Sequence, residues 1–216
     1  MLGLFPRPHE VAWLGQHATT VTTLGAEVDR WPSVRIDDHL VARTAVEYLI
    51  GLGHQRIGLI GGVIDLGLDL VTPSDRNEAY RRVLVDHALP VGPELEADGD
   101  FTWEGGHRAG RDLLERAERP TAVFCASDEM AVGLLQACRE LGVRVPEDLS
   151  VVGVDDHEVS SYLGLTTVAQ PVRQQGRAAA EQVLDVLATP AADRAGPERL
   201  VLPTQLVVRD TTAPPW

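Results

Sequence analysis

Short apolar runs rich in Val, Ile and Thr alternate along the chain with stretches whose apolar residues recur every three to four positions. The runs at 20–24, 34–37, 56–61, 122–126, 150–155 and 200–208 predict strands, with a β-like run at 165–168 and a short strand at 98–101. Between them, Ala42, Ala45, Val46, Leu49 and Ile50 share one helical face that stops at Gly53. Ala79, Val83 and Leu84 mark a second helix, opened by Ser74 or Asp75 as cap. Further helices are predicted at 104–117, from Asp128 to a stop at Gly142 with Pro146 beyond it, and at 172–187. The Ala/Pro/Gly-rich stretch 190–197 reads as a loop. Strands alternating with helices predict an α/β fold of parallel sheets flanked by helices. Ligands of such sheets bind in loops beyond the carboxyl ends of the strands. That directs attention to Asp37, the loop 61–74, Phe101, Ser127 with Asp128, and Asp155 with Asp156.

The chain has 216 residues, 44% hydrophobic and 24% charged, which suits one large domain or two small ones with a real core. No apolar run reaches the roughly 18–20 residues needed to span a bilayer. The first ten residues have no basic leader region, so the sequence predicts a cytoplasmic protein. The 32 acidic residues outnumber 19 basic ones, for a net charge of −13. Such a surface repels phosphate backbones and makes this chain by itself a poor partner for DNA. All the basic residues are Arg, which excludes Schiff-base lysines, lysine-dependent phosphate loops and Ser–Lys hydrolases. Cys125 lies in an apolar strand and Cys138 in a helical pattern, and both read as buried, reduced thiols.

Several constellations invite chemistry. Gly51, Gly53 and Gly58 follow a helix and precede a strand, the reverse of a phosphate cradle, and fit a helix stop and turn. Asp155-Asp-His-Glu158 holds competent metal ligands, but adjacent residues rarely converge on one ion and no second cluster is visible. Asp155, at the end of a buried strand, is better read as a carboxylate accepting hydrogen bonds from ligand hydroxyls; the rival reading is a turn cap. Ser127 follows a strand as a nucleophile would, yet Ser127-Asp-Glu129 reads as a helix start with Asp128 as N-cap. There is no GxSxG elbow, and an enzyme is not expected. Arg76 offers fixed donors at a helix start. Phe101 suits stacking on the apolar face of a sugar, or the core. Gln170 follows a β-like run, where its amide either bonds a ligand hydroxyl or faces solvent.

Ordered blocks carry a family resemblance. Val34-Arg-Ile-Asp-Asp38, the helix ending in Gly51-Leu-Gly-His54, and Arg56-Ile-Gly-Leu-Ile-Gly61 come first. Pro120-Thr-Ala-Val-Phe-Cys-Ala-Ser-Asp128 and Gly142-Val-Arg-Val-Pro-Glu-Asp-Leu-Ser-Val-Val-Gly-Val-Asp-Asp156 follow, the latter being the most specific. Leu165-Thr-Thr-Val-Ala-Gln-Pro171 and Leu202-Pro-Thr-Gln-Leu-Val-Val-Arg209 close the series. In this order the chain resembles the LacI/GalR family of bacterial transcriptional regulators over nearly its whole length.

The resemblance implies a periplasmic-binding-protein-like effector domain of two α/β subdomains with a small ligand between them. Binding is expected to shift a hinge and change how a dimer presents its DNA-binding headpieces. It assigns 1–54 and 171–190 to a remnant of the N-terminal subdomain and 55–170 and 198–210 to the C-terminal one. The headpiece and the first strand–helix units are not in this sequence, residues 2–5 resemble the end of the third strand, and operator DNA would be reached only through that headpiece. By resemblance Arg76 grips the effector, Asp155 accepts its hydroxyls, Phe101 is a stacking wall, Ser127 replaces a usual Asn, and Gln170 lies near the crossover. Thr72 and Asp37 are weaker candidates. The implied partners are a small effector, in that family usually a sugar, and a second copy of the chain; no cofactor, metal or membrane is implied. Arg76→Ala or Asp155→Ala is expected to abolish effector binding without unfolding. The alternative is the solute-binding protein of a sugar transporter.

Overall fold

The computed structural model describes residues 8–18, 20–25, 27–62, 71–189 and 196–215, the side chains of Pro8 and of 71–74 excepted; the strand end expected at 2–5 lies outside them. In chain order the elements are α1 (Pro8–His17), β1 (Thr23–Leu24), β2 (Ser33–Arg35), α2 (Asp38–Gly51), β3 (Ile57–Gly61), α3 (Val71–Asp86), β4 (Glu96–Asp98), α4 (Trp103–Leu114), β5 (Ala122–Cys125), α5 (Asp128–Leu141), β6 (Ser150–Asp155), α6 (Glu158–Tyr162), β7 (Thr166–Ala169), α7 (Val172–Ala188), β8 (Arg199–Val201) and β9 (Gln205–Val207). They form a periplasmic-binding-protein-like α/β fold with two parallel-sheet units.

The first unit comprises residues 1–37, 65–72 and 171–204. Its described sheet runs β1-β2-β8, all parallel. Trp31, Val34, Ile36 and Ala179 are buried in it. Arg199 spans Glu27 and Asp29 at 2.8 and 3.1 Å and ties β8 to the loop before β2.

The second unit comprises 38–64, 73–170 and 205–216. Its sheet order is β4-β3-β5-β6-β7-β9, parallel except for the last pair. The central strands β3 and β5, and the middle of β6, are apolar because both faces are covered. Ile60, Val123, Cys125 and Val151 join the cluster under α4 and α5, while Ile57, Leu59, Phe124, Val152 and Val154 are equally buried. Helices α4 and α5 approach through glycines: a Cβ on Gly133 would lie 2.2 Å from the Trp103 carbonyl, and one on Gly106 would lie 2.3 Å from that of Met130.

The boundaries depart from the sequence expectation. Helix α2 belongs to the second unit, because Val41, Ala42, Ala45, Val46 and Leu49 bury their face against β5, β6 and β7. The single strand expected at 200–208 is two strands interrupted around Pro203: β8 pairs with β2 and β9 with β7. The strand expected at 98–101 ends at Asp98, since Asp100 and Phe101 turn with φ of 51° and 50°. Helix α3 begins at Val71, ahead of the expected cap at Ser74 or Asp75.

His54 closes the amino edge of this sheet. It is buried, with Nδ1 2.9 Å from Thr121 Oγ1 and Nε2 2.9 Å from the Ala213 carbonyl and 3.0 Å from Ser150 Oγ. Burial holds its pKa below the usual 6.5, against the opposing pull of the Ala213 carbonyl. The native ring is therefore neutral where the unfolded ring takes a proton. His54's contribution is complete above pH 6.5 and shrinks as the pH falls below it, until the native ring also protonates. Chemical denaturation from pH 8 to 5 should show His54→Gln less stable than the parent by about 1–3 kcal/mol at pH 8, with the difference shrinking as the pH falls. Equal slopes in the two proteins would contradict the assignment.

Candidate functional site

The chain leaves β3 for β4 on one side and returns to β5 on the other, so the sheet order reverses beside β3. Crevices at the carboxyl ends beside such a reversal are where open parallel sheets bind ligands. Arg76 on α3, Phe101 after β4, Ser127 after β5, Asp155 at the end of β6 and Gln170 after β7 all issue from the carboxyl edge of this one sheet.

Asp155 is the focus of that edge. Its side chain keeps 17% of its surface, and burial raises its pKa from 3.8 to about 6. The Arg76 charge works against that rise, as do His157 and the Gln170 hydrogen bond, while the Asp128 carboxylate adds to it. Gln170 Nε2 donates to Asp155 Oδ1, and His157 Nε2 lies 3.6 Å from Asp155 Oδ2. The backbone is strained here: Asp155 and Asp156 have φ of 123° and 58°, a region that side chains other than glycine rarely enter. Non-glycine residues in such conformations cluster at ligand clamps and functional sites.

Arg76 is buried in an ion pair with Asp38, Nε to Oδ1 2.8 Å, with side-chain exposures of 5% and 9%. Its Nη1 donates to the Ala126 carbonyl at the end of β5. The acidic residue that fixes Arg76 is thus Asp38 in the first turn of α2, which the sequence reading passed over for its neighbour. Asp37 is half-buried and belongs to the first unit. Because Arg76 is also a buried structural partner, Arg76→Ala is expected to cost stability of about 3–5 kcal/mol, as breaking a buried pair does. That revises the expectation that the substitution spares the fold.

Ser127 is the N-cap of α5, its side chain accepting from the Met130 amide at 3.3 Å. Capping therefore falls to Ser127 and not, as read from sequence, to Asp128. Asp128 is the first helical residue and is fully buried. The Phe101 ring lies where a side chain on Gly62 would be, 2.6 Å from a Cβ built there, and it packs partly against the α4/α5 cluster. Arg209, which sequence reasoning missed, donates from Nη2 to Asp156 at 2.6 Å and from Nη1 to the Leu165 carbonyl at 2.7 Å. Thr72 lies in the first turn of α3, and its side chain is outside the described residues, as is most of the loop before it.

Among the described residues no group of three or more His, Cys, Asp or Glu is arranged to hold a metal ion. No described helix is long and apolar enough to cross a membrane. The first unit has a cavity of about 450 Å³ lined by Trp31, Val21, Arg30 and Gln182, among others; it contains none of the sequence-predicted ligands.

Residues 46–212 match the family described as periplasmic binding protein-like domain. The chain is 37% identical over 183 residues to the HTH-type transcriptional repressor CytR of Escherichia coli K12, covering 84% of this chain and 52% of that protein. Among solved structures it resembles a LacI family transcriptional regulator from Mycobacterium smegmatis, with TM-score 0.81 and 34% identity over 96% of this chain and 75% of that one. It also resembles a complex of the transcriptional regulator CelR with cellobiose, with TM-score 0.79 and 33% identity over 93% and 68% of the two chains. These relatives are named as regulators, not enzymes. The chain spans about half the length of the curated relatives it matches.

A carboxyl whose native pKa lies above its unfolded value binds protons preferentially in the native state. Lowering the pH through 6 toward 4 therefore adds stability at Asp155, and its charge destabilises the fold at neutral pH. Asp155→Asn should stabilise the protein at pH 7.5 by about 1–3 kcal/mol and should lose that advantage near pH 4. Denaturant titrations at both pH values measure it; an Asn variant less stable than the parent at pH 7.5 would contradict the burial argument.

Proposed function

The chain belongs to the periplasmic binding protein-like domain family, among LacI-type transcriptional regulators, and on that premise we propose that it is the effector-sensing domain of such a regulator, with a neutral sugar as effector. The observation that carries the reading is the Asp155 carboxylate, buried and only partly compensated at the carboxyl edge of a parallel sheet. A sugar hydroxyl is a donor that satisfies such a carboxylate without bringing a second charge. In this reading Asp155 accepts from one or two hydroxyls, and Gln170 and Arg76 present donors to neighbouring oxygens. The Phe101 ring stacks on the sugar's apolar face. Ser127, used as a helix cap, shapes the edge more than it selects the ligand. Cellobiose in the CelR complex supports placing neutral sugars first.

Sensing needs no catalysis, and none is assigned to these residues. The ligand must bind one conformation of the domain better than another, since only differential affinity shifts an equilibrium. The regulator is proposed to work in the cytoplasm as a homodimer. With a net charge of −13, this chain leaves contact with operator DNA to a separate headpiece.

The test is a thermal-unfolding scan against neutral sugars, sugar phosphates and nucleobases. A ligand at about 100 times its dissociation constant adds about 2.7 kcal/mol, or roughly 5–10 °C for a chain of this size. The expected result is a shift with one neutral sugar class that disappears in Asp155→Asn while that variant still unfolds cooperatively. A shift confined to phosphates or nucleobases, no shift at all, or a sugar shift that survives Asp155→Asn would overturn the proposal.

A further inference from the structure

The strained turn that carries Asp155 is gripped from beneath by a single side chain. Asp128 opens α5 with its carboxylate fully buried. Its Oδ2 accepts from the His157 amide at 3.0 Å and from Ser160 Oγ at 2.6 Å. Its Oδ1 accepts from Thr167 Oγ1 at 2.7 Å. Thr167 Oγ1 in turn accepts from the Asp156 amide at 3.4 Å, so the grip reaches both residues that follow Asp155. The three donors sit on the β6–α6 turn, on α6 and on β7. Gly153 makes the approach possible, because a Cβ there would stand 2.2 Å from Asp128 Oδ1. Burial raises the pKa of Asp128 above the ordinary carboxylate value, and the Ser160, Thr167 and His157 hydrogen bonds each oppose that rise. An ionised carboxylate can accept from all three donors at once; a neutral amide could accept from two at most and would face the third with its own N–H groups.

We propose that Asp128 is a positioning residue: through Ser160, Thr167 and the His157 amide it clamps the β6–α6 turn and so sets the direction in which Asp155 presents its carboxylate. Asp155 and Asp156 hold their φ of 123° and 58° because surrounding bonds determine them. Asp128 supplies the buried side of those bonds, and Arg209 and Gln170 supply the rest. The consequence for ligand affinity rests on the proposed effector reading, whereas the clamp itself does not.

The test removes the donors without changing any charge. Thr167→Val and Ser160→Ala are made singly and together in the full chain. Asp155 is followed by NMR of carboxyl-labelled aspartate, assigned with Asp155→Asn, and the Gln170 side-chain amide is followed at pH 8, where the parent's Asp155 is ionised. Arg76, Asp128 and His157 are the charged or titratable groups acting on Asp155, and none of them is substituted; loss of the Ser160 and Thr167 bonds raises the pKa of Asp128 itself, so the Asp155 midpoint is read together with the Gln170 signal. In the double variant the Gln170 amide signal should move toward the free-amide position, and the Asp155 midpoint should fall by at least one pH unit toward the ordinary carboxylate value. Each single variant should move both readings the same way by less, and Thr167→Val, close to isosteric, provides a folded case if the double variant does not fold. An unchanged Gln170 signal at pH 8 in a folded variant overturns the clamp, whatever the midpoint does, because a purely electrostatic influence of Asp128 would move only the midpoint. Should no sugar bind, the NMR result still decides the clamp; should the clamp fail, the sugar reading stands on its own scan.

Discussion

A carboxylate taken out of water must be compensated or must give up its charge, and in the second unit of this chain Asp155 is held between those two ends. Full burial without partners would neutralise it, and a close unshared cation would make it an ordinary ion pair. Here the cation, Arg76, is engaged by Asp38 and by the Ala126 carbonyl, so its help to Asp155 is partial. Gln170 and His157 add more, and Asp128 subtracts. The result is an acceptor that stays available at neutral pH and destabilises the fold while it is charged. Such a group suits a site that binds hydroxyls and serves no evident purpose as part of a core.

The rest of the second unit makes that arrangement tolerable. A sheet buried on both faces provides the stability against which a strained turn and a buried charge can be held. The helix-facing clusters on α2, α4 and α5 fix where the strands end. The Ser127 cap sets where α5 begins, which places Asp128 at the first helical position, under the turn that Asp155 opens. Glycine recurs where two backbones or a backbone and a carboxylate must approach closely, as at Gly106, Gly133 and Gly153.

The central strands and the helices α2, α4, α5 and α7 were legible from periodicity alone, because long buried runs and amphipathic faces are local patterns. What failed was decided elsewhere in the molecule. Residues 200–208 look like one strand, but β8 and β9 find partners in different sheets, and pairing is a tertiary fact. Ser127 and Asp128 are both competent caps; only the three donors at His157, Ser160 and Thr167 decide that Asp128 turns inward. Asp37 and Asp38 are adjacent and chemically alike, and the start of α2 puts Asp38 beside Arg76. Arg76, Asp155, Gln170, Phe101 and Ser127 were singled out by resemblance and by their places after strands, and all five issue from one sheet edge. The roles of Asp38, Asp128 and Arg209 had no signal in a single sequence, because each acts through side chains distant along the chain.

If Asp155 accepts a sugar hydroxyl as an anion, protonating it must weaken binding. The most direct measurement is the calorimetric dissociation constant of the sugar that shifts the unfolding transition, taken from pH 8 to pH 5. The account predicts affinity that is level above pH 7 and weakens below about pH 6, approaching tenfold per pH unit, with proton release on binding in the same range. An affinity that stays constant from pH 8 to pH 5 would contradict it, since a site that ignores the charge of Asp155 does not bind through it.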